Sequence, residues 1–279
     1  MIYKILEIKK ELQLYYKENK LIPFIGSGFS KPLGLPDWKN LIGLLGEQLG
    51  YEQDLFFIHG NYQQLADYVK QSHYKIWDEF IHKIITKFDS EESNNKRKKS
   101  AQHIKLASLD FKTIYTTNYD CHIEGAFQDQ NKKVITFSSL EDFGEYNSLV
   151  DNNRELVKFH GTLTRPESIV LTESEYFDRM SLEDAVDQRL RADVLSNNFL
   201  FIGYSFNDPN IRYIWYKLHK LRKLQNKSNR IKLKKSFLTG FGINEIQAKL
   251  LEEWDIHVIT LDPSNKEESV AELLDSIKS

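Results

Sequence analysis

Leu21-Ile22-Pro23-Phe24-Ile25-Gly26-Ser27-Gly28-Phe29-Ser30 is a run of apolar residues that breaks into a glycine-rich turn. Such a run, with no alternation of apolar and polar positions, describes a strand buried on both faces. Pro23 is expected at the beginning of that strand, because a central strand rarely tolerates a missing N–H. Ahead of it, Ile2, Ile5, Leu6, Ile8, Leu12 and Tyr15 recur at helical spacing, so residues 1–20 read as an amphipathic helix. Behind it come further short apolar runs at Thr113 to Tyr115, Leu156 to Phe159, Asn198 to Ile202, Ser236 to Leu238 and Ile256 to Leu261. Most are separated by helical patterns. This alternation predicts an α/β fold, a Rossmann-like, doubly wound, mostly parallel sheet covered on both faces.

Two stretches interrupt the alternation with helical periodicity. Residues 37–108 read as a helical insertion forming a smaller subdomain, carried by Trp38, Leu41, Leu45, Leu65, Val69, Phe80 and Ile84, and residues 164–195 read as a second one. The whole chain, 1–279, is expected to be one domain. Within the first insertion DSEESNNKRKKS, residues 89–100, lacks apolar residues and reads as a mobile surface loop.

With 41% hydrophobic and 28% charged residues the chain is globular and not disordered. Its 38 Lys+Arg against 40 Asp+Glu leave a net charge of -2, which excludes bulk attraction to nucleic acid or to an anionic membrane. Any such contact must be local, and direct nucleic-acid binding is not expected. The basic stretch 217–235 is either a solvated face or a docking surface for a partner. Cys121, the single cysteine, excludes an intrachain disulfide and a four-thiolate zinc site, and fits a reducing compartment. Charges interrupt every apolar stretch of the N-terminus, and no apolar run is long enough to span a bilayer, so a cytoplasmic location is expected.

Four polar motifs follow four of the expected strands directly. Open α/β sheets bind their ligands at such carboxyl ends. The turn Gly26 to Ser30 suits a phosphate, with a tight ligandless strand-to-helix turn as the alternative. Lys31 stands where a dinucleotide fingerprint would place its third glycine, and no acidic residue closes a second strand, which disfavours an NAD(P) dehydrogenase. Gly34-Leu35-Pro36-Asp37-Trp38 places Asp37 as the cap of a helix. Thr116-Thr117-Asn118-Tyr119-Asp120 gathers polar side chains for a ligand or for an Asx turn. Lys158-Phe159-His160-Gly161-Thr162 presents an imidazole, whose ordinary pKa of about 6.5 would let it accept a proton near neutral pH. Phe201-Ile202-Gly203-Tyr204-Ser205-Phe206-Asn207-Asp208-Pro209 ends the fourth run, with Asp208 and Pro209 opening a helix. The other seven histidines have no companion motif and no role.

In this order the motifs resemble the sirtuins, in particular the zinc-free, sirtuin-like NADase branch found in bacterial anti-phage defence systems. The resemblance runs from about Leu21 to Leu261. It implies that Asn118 and His160 are catalytic. It also implies that Gly26, Ser27, Gly28, Phe29 and Ser30, with Asp120, Gly203, Tyr204 and Ser205, line an NAD site. Asp37 and Trp38 would sit where the cofactor loop enters its helix, and Gly240 near the adenosine. Protein-deacetylating sirtuins hold a structural zinc on four cysteines, and residues 161–203 contain none, so no metal is expected. The activity implied is an NAD+ glycohydrolase that makes nicotinamide and ADP-ribose and depletes NAD in defence. A zinc-free deacylase or ADP-ribosyltransferase, and a regulatory or assembly subunit that binds NAD or ADP-ribose without turnover, are the alternatives. Such an enzyme must be kept idle, so homo-oligomerisation and an activating partner are expected, of the ring ATPase translocase or short Argonaute type.

Overall fold

The computed structural model describes residues 2–139, 142, 154–181, 183–204, 209–225 and 234–278. Among them eight strands form one sheet: β1 (Ile2–Tyr3), β2 (Leu21–Ile25), β3 (Thr113–Thr116), β4 (Val134–Phe137), β5 (Arg154–Lys158), β6 (Asn198–Ile202), β7 (Ser236–Gly240) and β8 (Ile256–Thr260). Their spatial order is β1-β8-β7-β6-β2-β3-β5-β4, and every pairing is parallel. The chain builds outward from β2 through β3 to β5 and β4, then returns to the other side of β2 with β6. The switch point therefore lies at β2, where a doubly wound sheet opens a crevice at its carboxyl edge.

The unbroken apolar character of the central strands follows from this position. Leu21 and Ile25 of β2, with Leu200 and Ile202 of β6, face a core layer built with α1 (Ile5–Lys17), α7 (Ala101–Ser108), α8 (His122–Asp129) and α13 (Lys266–Lys278). Ile22, Phe24, Phe199 and Phe201 face the opposite layer, filled by α10 (Ala185–Ser196) and α11 (Pro209–Gln225). Alternate residues serve opposite cores, so both periods are apolar.

Pro23 sits in the middle of β2 and not at its start, opposite Leu200 of β6. Gly26 N donates to Ile202 O and Thr117 N to Ile25 O. By alternation Pro23 therefore turns its missing N–H toward β3, whose register with β2 begins only at Phe24. The proline is tolerated because the ladder has not yet started on that side.

Helices α2 (Trp38–Gln48), α3 (Gln53–Phe56), α4 (Tyr62–Ser72), α5 (Tyr74–Phe88) and α6 (Glu91–Lys99) lie between β2 and α7. Leu41, Leu45, Leu65, Val69, Phe80 and Ile84 of these helices form a third apolar cluster, which reaches Tyr119, Leu163 and Leu171. Residues 91–99 are helical and not a loop. The Ser90 side chain caps the first turn through Ser93 N, Glu91 and Glu92 stand at the positive end, and Lys96 to Lys99 stand at the negative end. Arg97, nearly buried, ties this helix to α8 through Asp129 at 3.0 Å. Between β5 and β6 lie α9 (Glu173–Met180) and α10. The last helix pair is completed by α12 (Glu245–Glu252) between β7 and β8. Among the described residues no helix is long and apolar enough to cross a membrane.

The basic stretch is less uniform than its composition implies. Arg222 is buried, and its guanidinium donates to the carbonyls of Val194 at 2.7 Å and of Asn197 and Lys234 at 3.0 Å. Lys235 pairs with Glu11. Both therefore hold α11 and β7 in place; Lys227, Arg230 and Lys232 lie outside the described residues.

Candidate active site

Four strand ends meet around a cavity of about 260 Å³. From β2 it receives Gly26, Ser27, Gly28 and Ser30; from β3, Asn118 and Asp120; from β5, His160; from β6, Gly203 and Tyr204; and from the start of α2, Asp37 and Trp38. Phe29 turns away from it, buried against the His103 ring at 4.6 Å. With Gly240, Phe29 lines a second cavity of about 530 Å³, which shares Gly28, Lys31, Gly203 and Tyr204 with the first. Ser205 and Asp208 lie outside the described residues.

The glycines make the crevice possible. Gly28 N donates to Gly203 O at 3.0 Å, and a Cβ on Gly28 would come within 2.8 Å of that oxygen. Gly203 has φ +71°, and a Cβ there would strike Phe29 N at 2.4 Å. The β2 and β6 ends are thus in backbone contact. One consequence runs against the expectation of a phosphate-binding backbone. The N–H groups of Gly26, Gly28, Phe29 and Ser30 are all donated within the protein, to Ile202, Gly203, Gly26 and Ser27 oxygens respectively.

Asn118 is held rigidly. Its N–H donates to Thr116 Oγ1 at 3.0 Å, and Thr116 Oγ1 donates in turn to Ile25 O. The Asn118 side chain donates through Nδ2 to Ser30 Oγ at 3.1 Å, leaving Oδ1 buried and without a partner. The amide therefore offers a ligand an acceptor. Asp37 accepts from Asn40 N at 3.0 Å and caps α2, as its place before Trp38 implied. Asp120 accepts from His122 N at 3.0 Å.

Beneath the Asn118 loop lies a residue to which sequence reasoning gave no role. Lys158, fully buried, donates to Asp120 O at 2.6 Å, Tyr119 O at 3.3 Å and Glu124 Oε1 at 2.8 Å. Burial alone would lower its pKa, but Glu124, Cys121 and Asp120 outweigh that and raise it. Its place in the Lys-Phe-His-Gly box was visible; its reach to the neighbouring strand end was not. Gln102, likewise unassigned, donates to Phe29 O beneath the glycine turn. Leu35, Leu41 and Phe88 supply an apolar wall.

His160 stands at the β5 end with its ring edge-on to Tyr176, centroids 5.1 Å apart, and is almost wholly buried. Its pKa is not near 6.5. Desolvation, then the nearby Arg179 guanidinium, push it down to about 3. The ring is neutral throughout the physiological range.

These features, a parallel sheet with Asn118 and His160 in one crevice at its switch point, agree with a comparison of the sequence with known families. The family profile of the SIR2-like domain matches residues 112–259. The chain belongs to the SIR2-like family. Asn118, His160, Gly203 and Gly240 of this SIR2-like chain fall inside the matched region, and the glycine turn precedes it. The chain is 30% identical over 210 residues to the protein named NAD(+) hydrolase ThsA of Acinetobacter baumannii (strain 532279), covering 74% of this chain and 40% of that protein. It is 30% identical over 235 residues to NAD(+) hydrolase ThsA of Cytobacillus dafuensis, covering 80% and 42%. Defense-associated sirtuin 2 of Bacillus subtilis is 27% identical over 231 residues, covering 80% of this chain and 21% of that protein. The SIR2-like chain thus spans about 40% of the ThsA relative first named. Among its described residues no group of three or more His, Cys, Asp or Glu is arranged to hold a metal ion.

Proposed function

We propose that this SIR2-like chain is an NAD+ glycohydrolase, releasing nicotinamide and ADP-ribose, and that it serves as the NAD-depleting effector of a bacterial anti-phage defence system. The observation that carries the reading is the pair of adjoining cavities on either side of the glycine turn. An extended dinucleotide needs two nucleoside pockets with its phosphates between them. The first cavity holds Asn118, His160 and the carboxylates of Asp37 and Asp120. Two acidic side chains suit the cationic nicotinamide ring of NAD+ and the positive charge that develops on the ribose as the base leaves. The second cavity, with Gly240, takes the adenosine.

In the reaction the bond between nicotinamide and ribose breaks through an oxocarbenium-like state, nicotinamide leaving with the electron pair and becoming neutral. Water then adds to the ribose carbon and one proton is released. Asn118 Oδ1, fixed by Ser30, accepts a hydrogen bond from that water or from a ribose hydroxyl, a positioning role. Neutral His160 accepts the second hydrogen bond, and its low basicity makes it an orienting acceptor and not a group that titrates in the working range. The wall of Leu35, Leu41 and Phe88 limits bulk water. The relatives named NAD(+) hydrolase support the same chemistry.

The reading extends to a cytoplasmic chain that forms homo-oligomers and is switched on by a protein partner, of the ring ATPase translocase or short Argonaute type. The test is nicotinamide release from NAD by the purified protein, alone and in lysate of phage-infected cells, with Asn118→Ala as the blank. Release by the wild type and not by the variant is the expected result. Saturable NAD binding with no product under either condition would overturn the hydrolase in favour of a binding subunit.

A further inference from the structure

Resting on that reading, we infer that Lys31 is the anion-binding residue of the site, meeting the pyrophosphate of the dinucleotide where the two cavities join. The two phosphates carry two negative charges, and the glycine turn cannot satisfy them with its backbone. Four of its N–H groups are already donated to protein oxygens, and only that of Ser27 is left. An anion of this kind needs donors bearing charge, since these form the strongest hydrogen bonds available to it.

Lys31 meets that need by position and by freedom. It directly follows the turn, and among the described residues it is the one cationic side chain that lines both cavities. Among the described residues it is in no ion pair, and its side chain is exposed and free to swing. The neighbouring cations are otherwise engaged. Lys39 pairs with Asp54, Lys96 with Glu92, and Lys158 is locked under the Asn118 loop. Lys266 lies over the Phe241 ring and lines the second cavity alone. The resulting charge pattern, acidic in the first cavity and basic at the junction, matches the order of charge along NAD+ from its nicotinamide end.

The inference is tested by titrating ADP-ribose into wild type, Lys31→Met, Lys31→Arg and, as a surface control, Lys105→Met, at several salt concentrations, with NAD turnover measured beside it. Loss of one charge-assisted contact weakens binding about ten- to hundredfold. Lys31→Met is expected to raise the Kd for ADP-ribose and the KM for NAD by that factor, to flatten the salt dependence, and to leave kcat within about twofold. Lys31→Arg and Lys105→Met should bind within a few-fold of wild type. If Lys31→Met binds ADP-ribose as wild type does, with the same salt dependence, the inference fails and the dinucleotide site stands. If wild type binds neither ADP-ribose nor NAD, the reading of the site falls and the inference falls with it.

Discussion

Ser30 fixes the orientation of the Asn118 amide, because its hydroxyl accepts from Nδ2 and leaves Oδ1 buried and without a partner. Ser30→Ala should therefore lower kcat by roughly tenfold with KM and melting temperature little changed, since one neutral hydrogen bond is worth only about 1 kcal/mol. Steady-state kinetics beside a thermal melt would check this, and an unchanged kcat would mean that the amide finds its orientation without Ser30. At His160 the expected outcome is an absence. With its pKa held down to about 3 by burial and by Arg179, the pH profile of kcat/KM should show no acid limb near pH 6.5 that depends on this residue. An acid limb present in the wild type and missing in His160→Gln would restore a titrating base. That Asn118 and His160 meet at the carboxyl edge of the sheet was legible in the Thr-Thr-Asn-Tyr-Asp and Lys-Phe-His-Gly boxes. The protonation behaviour was not, because burial depends on Tyr176 and Arg179, which come from a helix whose docking the box itself does not specify.

At the scale of elements, the strands that lie in the middle of the sheet could be read almost residue by residue. Leu21 to Ile25 and Asn198 to Ile202 are buried throughout, so their composition carries their position. The edges could not. Val134–Phe137 is short and only its last residue is buried, and Ile2–Tyr3 is two residues long, so neither leaves a continuous apolar mark. The helix at Glu91–Lys99 reads as a loop by apolar periodicity, and its stability comes from a cap, end charges and two ion pairs, Lys96–Glu92 and Arg97–Asp129. Ser90 followed by two glutamates, with four basic residues closing the segment, was the signal that could have found it. Lys158 ties two elements together, β5 and the loop after β3. Lys158→Met should cost about 3–5 kcal/mol of stability, since it strands Glu124 and two loop carbonyls, and urea unfolding would measure it. A loss below about 1 kcal/mol would mean that water replaces the ammonium.

For the molecule as a whole, two buried histidines govern the response to acid, His160 and His103, the latter without a role in the sequence analysis. His103 is pushed down to about 3, first by burial, with Asp120 opposing and His122 and Arg97 adding to it; His160 stands at the same value. Both are neutral when folded and take up a proton near pH 6.5 when unfolded. The unfolded chain therefore binds more protons below that pH, so stability is complete above about 6.5 and is lost as pH falls toward about 3. At pH 5 each contributes a loss on the order of 2 kcal/mol. Melting temperature should fall steadily between pH 7 and pH 5, and His103→Gln should flatten that slope. An unchanged slope would place the acid sensitivity elsewhere.

The place of β2 between β3 and β6 also fixes when the crevice can first form. As the chain leaves the ribosome the glycine turn precedes Gly203, whose oxygen and backbone close it and which follows a strand made much later. Pairings between such distant segments form slowly, and domains generally mature as units during synthesis. A translation product that stops before β6 holds Asn118 and His160 but has no second wall for the crevice and lacks most of the lining of the second cavity. On the proposed reading as an NAD+ glycohydrolase, the strand order is a safeguard: a fragment that ends before β6 has no complete crevice in which to hold the dinucleotide.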